Sequence, residues 1–133
     1  MPTLHTYDYA VVRVVPRVER GEFINAGVIM SCAARQSLHA CIALDDARLL
    51  ALDPEADVAG LRLALAALPV ICAGGGAAGA LGKLSVRERF HWLVAPRSTS
   101  IQTSPVHTGR CTDLGVTMAQ LMQRIVRKPT PRA

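Results

Sequence analysis

The stretch Tyr7–Leu44, YDYAVVRVVPRVERGEFINAGVIMSCAARQSLHACIAL, decides the fold. YDYAVVRVV (7–15) is dense in β-branched and aromatic side chains and is followed by turn material, the signature of a strand. PRVERGE (16–22) holds both Pro and Gly and reads as a polar loop. FINAGVIMSC (23–32) predicts a second strand, and Leu38–Leu44 a third beyond the short AARQ connection. Three strands joined by short turns make an antiparallel meander. A first hairpin centred near Glu19 sets Arg13 opposite Asn25 on one face, a pairing that a one-residue slip would undo. A second hairpin centred between Ala34 and Arg35 sets Cys32 opposite Ser37 and Cys41 opposite Val28. The two thiols then do not face each other.

Helices follow the meander. Asp45–Leu52 is long enough for a short one. Asp53-Pro54-Glu55 has the form of a helix start, with Asp as N-cap and Pro in the first turn. Val58, Leu61, Leu65 and Leu68 then keep the spacing of a core-facing stripe, and Pro69 is expected to end it. AGGGAAGALG (73–82) carries five glycines and no charge, which predicts a flexible loop or a tight backbone approach. Ser85 and Glu88 have capping-box spacing and open a helix through Phe90, Trp92 and Leu93 that Pro96 stops. Thr99–Thr103 reads as a fourth, polar strand and Ser104–Thr112 as a loop. Asp113 or Thr112 caps a last helix with Leu114, Met118, Leu121 and Ile125 as its apolar stripe. The fold class is therefore α+β: an antiparallel sheet of about four strands with helices packed mainly on one face. The first three strands are apolar on both faces, so the second face also needs partial cover, for which a second copy of the chain, in a homodimer, is one candidate.

Composition bounds the rest. With 133 residues, 50% hydrophobic and 19% charged, the chain supports one domain (1–126) with a basic, Pro-containing tail (127–133), and it is too apolar for disorder. No apolar run approaches the ~18 residues of a membrane span. Met1–Asp8 lacks the layout of a signal peptide, which makes the cytoplasm the expected compartment. Cys32, Cys41, Cys72 and Cys111 form no CxxC pair and are expected to stay reduced and unbridged. The net charge of +5 is uneven. Residues 1–82 hold six arginines against eight acids, whereas 83–133 hold nine Lys/Arg against Glu88 and Asp113 alone. Such asymmetry offers a positive surface to an anionic partner. At the tail, Arg124, Arg127, Lys128 and Arg132 also suit a helix C-terminus on dipole grounds.

Specific chemistry is sparse. The glycine loop before Lys83 fails the phosphate-loop pattern, because position 77 is Ala and Leu84 follows the Lys. His5, His39, His91 and His107 are scattered, so no metal site and no cofactor is expected. Cys111 or Ser104 with His107 lie in one loop, but spacing alone does not place a base beside a nucleophile, and no catalytic residue is assigned. More telling are polar residues set in apolar surroundings. Arg13 interrupts a Val run, Asn25 interrupts FINAGVIM, and Glu22 stands at a strand entrance. Arg87 and Arg89 surround a helix carrying Phe90 and Trp92, while Gln102, His107 and Arg110 line the late strand and loop. A buried guanidinium needs a partner. An Arg13–Glu22 or Arg89–Glu22 brace is one outcome. The other is a ligand site of Arg13, Glu22, Asn25, Arg89, Gln102, His107 and Arg110, in which Arg13, Glu22 and Asn25 face Arg89 or His107.

Tyr9–Pro16 (YAVVRVVP) and Arg20–Val28 (RGEFINAGV), with Arg87–Leu93 (RERFHWL) and Ile101–Gly109 (IQTSPVHTG), resemble the DUF3037 family of small bacterial proteins across residues 7–126. The resemblance implies no activity, the family being one of unknown function. It implies a genomic association with HipA-like kinases in some bacteria, and hence an accessory role and such a kinase as partner. The expected function is a small binding or accessory domain that engages an anionic ligand or protein partner through the basic region 83–110. The runner-up is a small hydrolase or phosphotransfer-type enzyme with His107 as general base and Arg13 and Arg89 as anion clamps. The five aromatics are mostly needed in the core, so any nucleic-acid contact is expected at the phosphate backbone rather than the bases.

Overall fold

A computed structural model describes residues 3–131. The meander forms as its sequence predicts, with β1 (His5–Val14), β2 (Ile24–Cys32) and β3 (Ser37–Ile42). The second hairpin pairs Cys32 with Ser37 and Cys41 with Val28, and all four cysteines are free. The first hairpin pairs Arg13 with Asn25, but a bulge next to this pair shifts the rest of the ladder by one residue. The bulge resets the alternation of β2. Ile24 and Ala26 therefore face the same side as Ile29, while Val28 and Met30 face the other. Gly27 sits at the shift, where a Cβ would run into the Cys41 carbonyl and Ile42.

The far edge of β1 is filled twice. β4 (Ile101–Thr103) pairs with Val12–Val14 and β5 (His107–Cys111) with His5–Tyr9, giving a five-stranded antiparallel sheet with β1 at its centre. Half of the expected loop 104–112 is thus a strand. Its sequence, HTGRC, lacks strand propensity, and pairing to β1 is what holds it extended. At the break between β4 and β5, Ser104 takes the place of a ladder residue. Its N–H donates to the Val11 carbonyl at 2.9 Å and its hydroxyl accepts from the Val11 N–H at 2.8 Å. Pro105, which has no N–H to offer, follows.

Three helices pack on one face. α1 (Asp46–Leu52) is capped by Asp45, α2 (Val58–Ala73) by Asp57, and α3 (Val86–Val94) by the full Ser85/Glu88 capping box. Two expectations are corrected here. Asp53 does not cap α2, because its buried carboxylate accepts from Arg17 and from the Glu55 N–H, so the helix starts four residues later. Pro69 does not end α2, which continues to Ala73 and buries Ile71 and Cys72. The burial of that last turn outweighs the one hydrogen bond Pro withholds. The glycine segment forms 3-10 turns over Gly76–Lys83, and Gly82 lies so close to Gly75 that no side chain fits between them. It is the tight approach rather than the flexible loop.

The second face is covered by the chain itself. α4 (Leu114–Leu121), capped by Asp113, runs into a π-helical turn at Met122–Val126. Leu114, Met118, Leu121 and Ile125 pack there against Tyr7, Val28 and Met30. No single helix among the described residues is long and apolar enough to cross a membrane.

Candidate functional site

The sheet register gathers three of the expected site residues into one row. Arg13 on β1 pairs with Asn25 on β2 and, across its other edge, with Gln102 on β4. Two of the three are already engaged. Asn25 Nδ2 donates to the Ile125 carbonyl at 3.2 Å, tying the π-helical turn to the sheet, and Gln102 Nε2 donates to the Thr99 carbonyl. Arg13 is different. Its guanidinium lies 4.3 Å from the centroid of the half-exposed Phe23 ring, and its Nε is buried without a hydrogen-bond partner.

The expected brace does not form. Glu22 is exposed and pairs with Arg20, raising the Arg20 pKa through their hydrogen bond. Arg89 lies across the sheet from Arg13, under α2. It donates to the Leu84 carbonyl at 2.6 Å and the Cys72 carbonyl at 3.3 Å, and Gly74 lies against its guanidinium. Arg13 and Arg89 therefore cannot clamp one anion. His107 faces neither of them, its ring stacking on Tyr9 with centroids 5.2 Å apart. Ser104, one of the two conceivable nucleophiles, is buried and bound to main chain on both sides, its hydroxyl donating to the Pro105 carbonyl.

Part of the late positive charge is structural. Arg89 reaches the carbonyls that end α2, and Arg97 those that end α3, where it also lies over the Trp92 ring at 4.3 Å. Arg48 does the same for the π-helical turn at Val126. Helix ends present unpaired carbonyls and negative potential, and a guanidinium answers both. The stretch 83–110 is thus not one patch.

Two of the remaining late cations, Arg110 and Arg124, meet at one place. Between β5 and α4 lies a cleft of about 390 Å³, lined by Arg110, Arg124, Thr112, Thr117, Gln120 and Tyr7 among others. Neither arginine forms an ion pair among the described residues. Asp113 also lines the cleft, but its carboxylate accepts from the Val116 N–H as the α4 cap. Tyr7 is buried at the floor. Burial and the neighbouring Cys111 raise its pKa, while Arg124 pulls the other way, so the phenol enters as a neutral hydroxyl. Of this cleft the sequence singled out Arg110 as a binding residue and Cys111 as a conceivable nucleophile. Arg124 looked like an ordinary helix-end cation, and Tyr7 like a strand residue. Their meeting depends on α4 lying across β1 and β5, which no local pattern records.

A model of the DUF3037 family, described as a protein of unknown function, matches residues 9–126. The chain belongs to that family. No curated protein and no solved structure matches it. Membership of DUF3037 thus extends over both faces of the sheet and the cleft, and assigns no activity to either. Among the described residues no group of His, Cys, Asp and Glu is placed to hold a metal ion.

Proposed function

We propose that this DUF3037 chain is a small binding domain whose Arg110–Arg124 cleft takes an anionic group presented by a partner protein. The observation that carries the reading is the convergence of two arginines, neither in an ion pair among the described residues, on one cleft rimmed by hydroxyl and amide groups. Guanidinium groups suit carboxylate and phosphate oxygens because they offer paired donors in a plane. Thr112, Gln120 and the Tyr7 hydroxyl supply further hydrogen-bonding groups around that anion. A HipA-like kinase, the partner implied by the family resemblance, is the first protein to test. Nucleic-acid phosphates are the competing source of the same anion.

The test uses the full chain with an acidic peptide, a phosphopeptide and an oligonucleotide as probes, at low and high salt. The expected result is binding of a peptide that weakens about tenfold or more in Arg110→Gln/Arg124→Gln. Unchanged binding in that double variant, or no peptide binding even at low salt, overturns the reading. Oligonucleotide binding that falls steeply with salt while peptides do not bind moves the partner to a phosphate backbone.

A further inference from the structure

Away from that cleft, a cavity of about 380 Å³ opens between α3 and the end of the β1–β2 ladder. Asp8 and Ser31, paired across β1 and β2, contribute one side. The capping box fixes the start of α3, so Arg87 falls in its first turn and His91 one turn later on the same side. Gln36 joins them from the β2–β3 turn at φ +50°, the one left-handed non-glycine among the described residues. The buried ring of Phe90 and Val86 provide an apolar wall.

The charges in this cavity are complementary and unmatched. Asp8 accepts a hydroxyl from Thr108 at 2.6 Å; among the described residues it meets no cation, and Arg87 meets no carboxylate. They line the same cavity without pairing with each other. A simple anion would be drawn to Arg87 and repelled by Asp8, and a simple cation the reverse. A ligand carrying both charges satisfies both groups at once.

We propose that this cavity binds a small zwitterion of the free amino acid class. Its ammonium is taken by the Asp8 carboxylate and the Ser31 hydroxyl, and its carboxylate by the Arg87 guanidinium beside His91. Its side chain lies against Phe90 and Val86. The cavity volume admits a free amino acid with a side chain of any size.

Calorimetric or ligand-observed NMR titration of the full chain with single free amino acids tests this, followed by the N-acetyl and methyl ester forms of the tightest binder. At least one amino acid should bind saturably, and blocking either charged end should weaken it about tenfold or more. Asp8→Asn should abolish the discrimination against N-acetylation, and Arg87→Gln that against esterification, both with unchanged thermal midpoints. The proposal is overturned if no amino acid binds at millimolar concentration, or if blocked forms bind as well as free ones. It also fails if Arg110→Gln/Arg124→Gln removes the binding, since the ligand would then sit in the other cleft.

Discussion

The two faces of the sheet are built from different materials. Under α1–α3 the core is branched and aliphatic, with Val12, Val14, Ile29, Leu49, Leu65 and Leu93 almost wholly removed from water. Under α4 it is made of Tyr7, Met30, Met118, Met122 and two half-buried thiols, with Arg13 and His107 at its margins. Branched side chains have few rotamers and specify one packing, whereas thioethers and tyrosines adapt and bring polar atoms with them. The difference separates a rigid face from an adaptable one. The aliphatic face fixes the sheet, and the softer face lets one short helix frame the cleft that Arg110 and Arg124 line.

If that division holds, substitutions on the two faces differ in size. Leu65→Ala should cost about 2–5 kcal/mol, and of two like-for-like swaps at equally buried sites, Leu65→Met should cost more than Met122→Leu, both below about 1.5 kcal/mol in chemical denaturation. Similar losses at both sites would remove the distinction. Ser104→Ala comes next. It leaves the Val11 N–H without its acceptor in the middle of the sheet and should cost about 1–3 kcal/mol, with faster amide exchange at Val11. Asn25→Ala frees the Ile125 carbonyl in the half-buried last turn of the π-helical segment. The expected loss is about 1 kcal/mol, with exchange rising in 122–126 while the aliphatic face is untouched.

A pH dependence on the aliphatic side follows. Burial pushes the Cys72 thiol up to about 11, against the partial opposition of Arg89. A thiol in the unfolded chain ionises near about 8.5, so the unfolded state loses its proton first. The contribution of Cys72 is complete below that pH and declines as pH rises toward about 11. Denaturation midpoints of the wild type and Cys72→Ala at pH 8 and 10 check it, and the wild type should fall more steeply. Parallel slopes would mean the thiol is not buried as described.

Much of the fold was legible because its signals are local. Strand composition, the Ser85/Glu88 box, the Asp113 cap and the α4 stripe each sit within a few residues, and the second hairpin follows from its centre alone. The Arg13–Asn25 pair was legible too, although the bulge beside it was not. Where the chain departs from expectation, a distant partner decides. Arg17 claims Asp53 across 36 residues, and β1 imposes strand geometry on the polar HTGRC segment. The site was read less well for the same reason. Arg13, Glu22, Asn25, Arg89, Gln102, His107 and Arg110 are unusual in their local context, but context does not say which face they occupy. The answers came from a helix end for Arg89, a neighbouring arginine for Glu22 and a carbonyl 100 residues away for Asn25.

The ladder at Ser104 has a consequence for the ribosome. Val11 and its partner are separated by 93 residues, so the meander is finished long before the far edge of its central strand has anything to pair with. At ordinary elongation rates of 5–20 residues per second that edge stays bare for roughly 5–20 s. A bare apolar strand edge is a template for aggregation. Over that interval the edge is open to other chains, and synonymous codons that slow translation between the third strand and residue 104 lengthen its exposure without changing the mature protein.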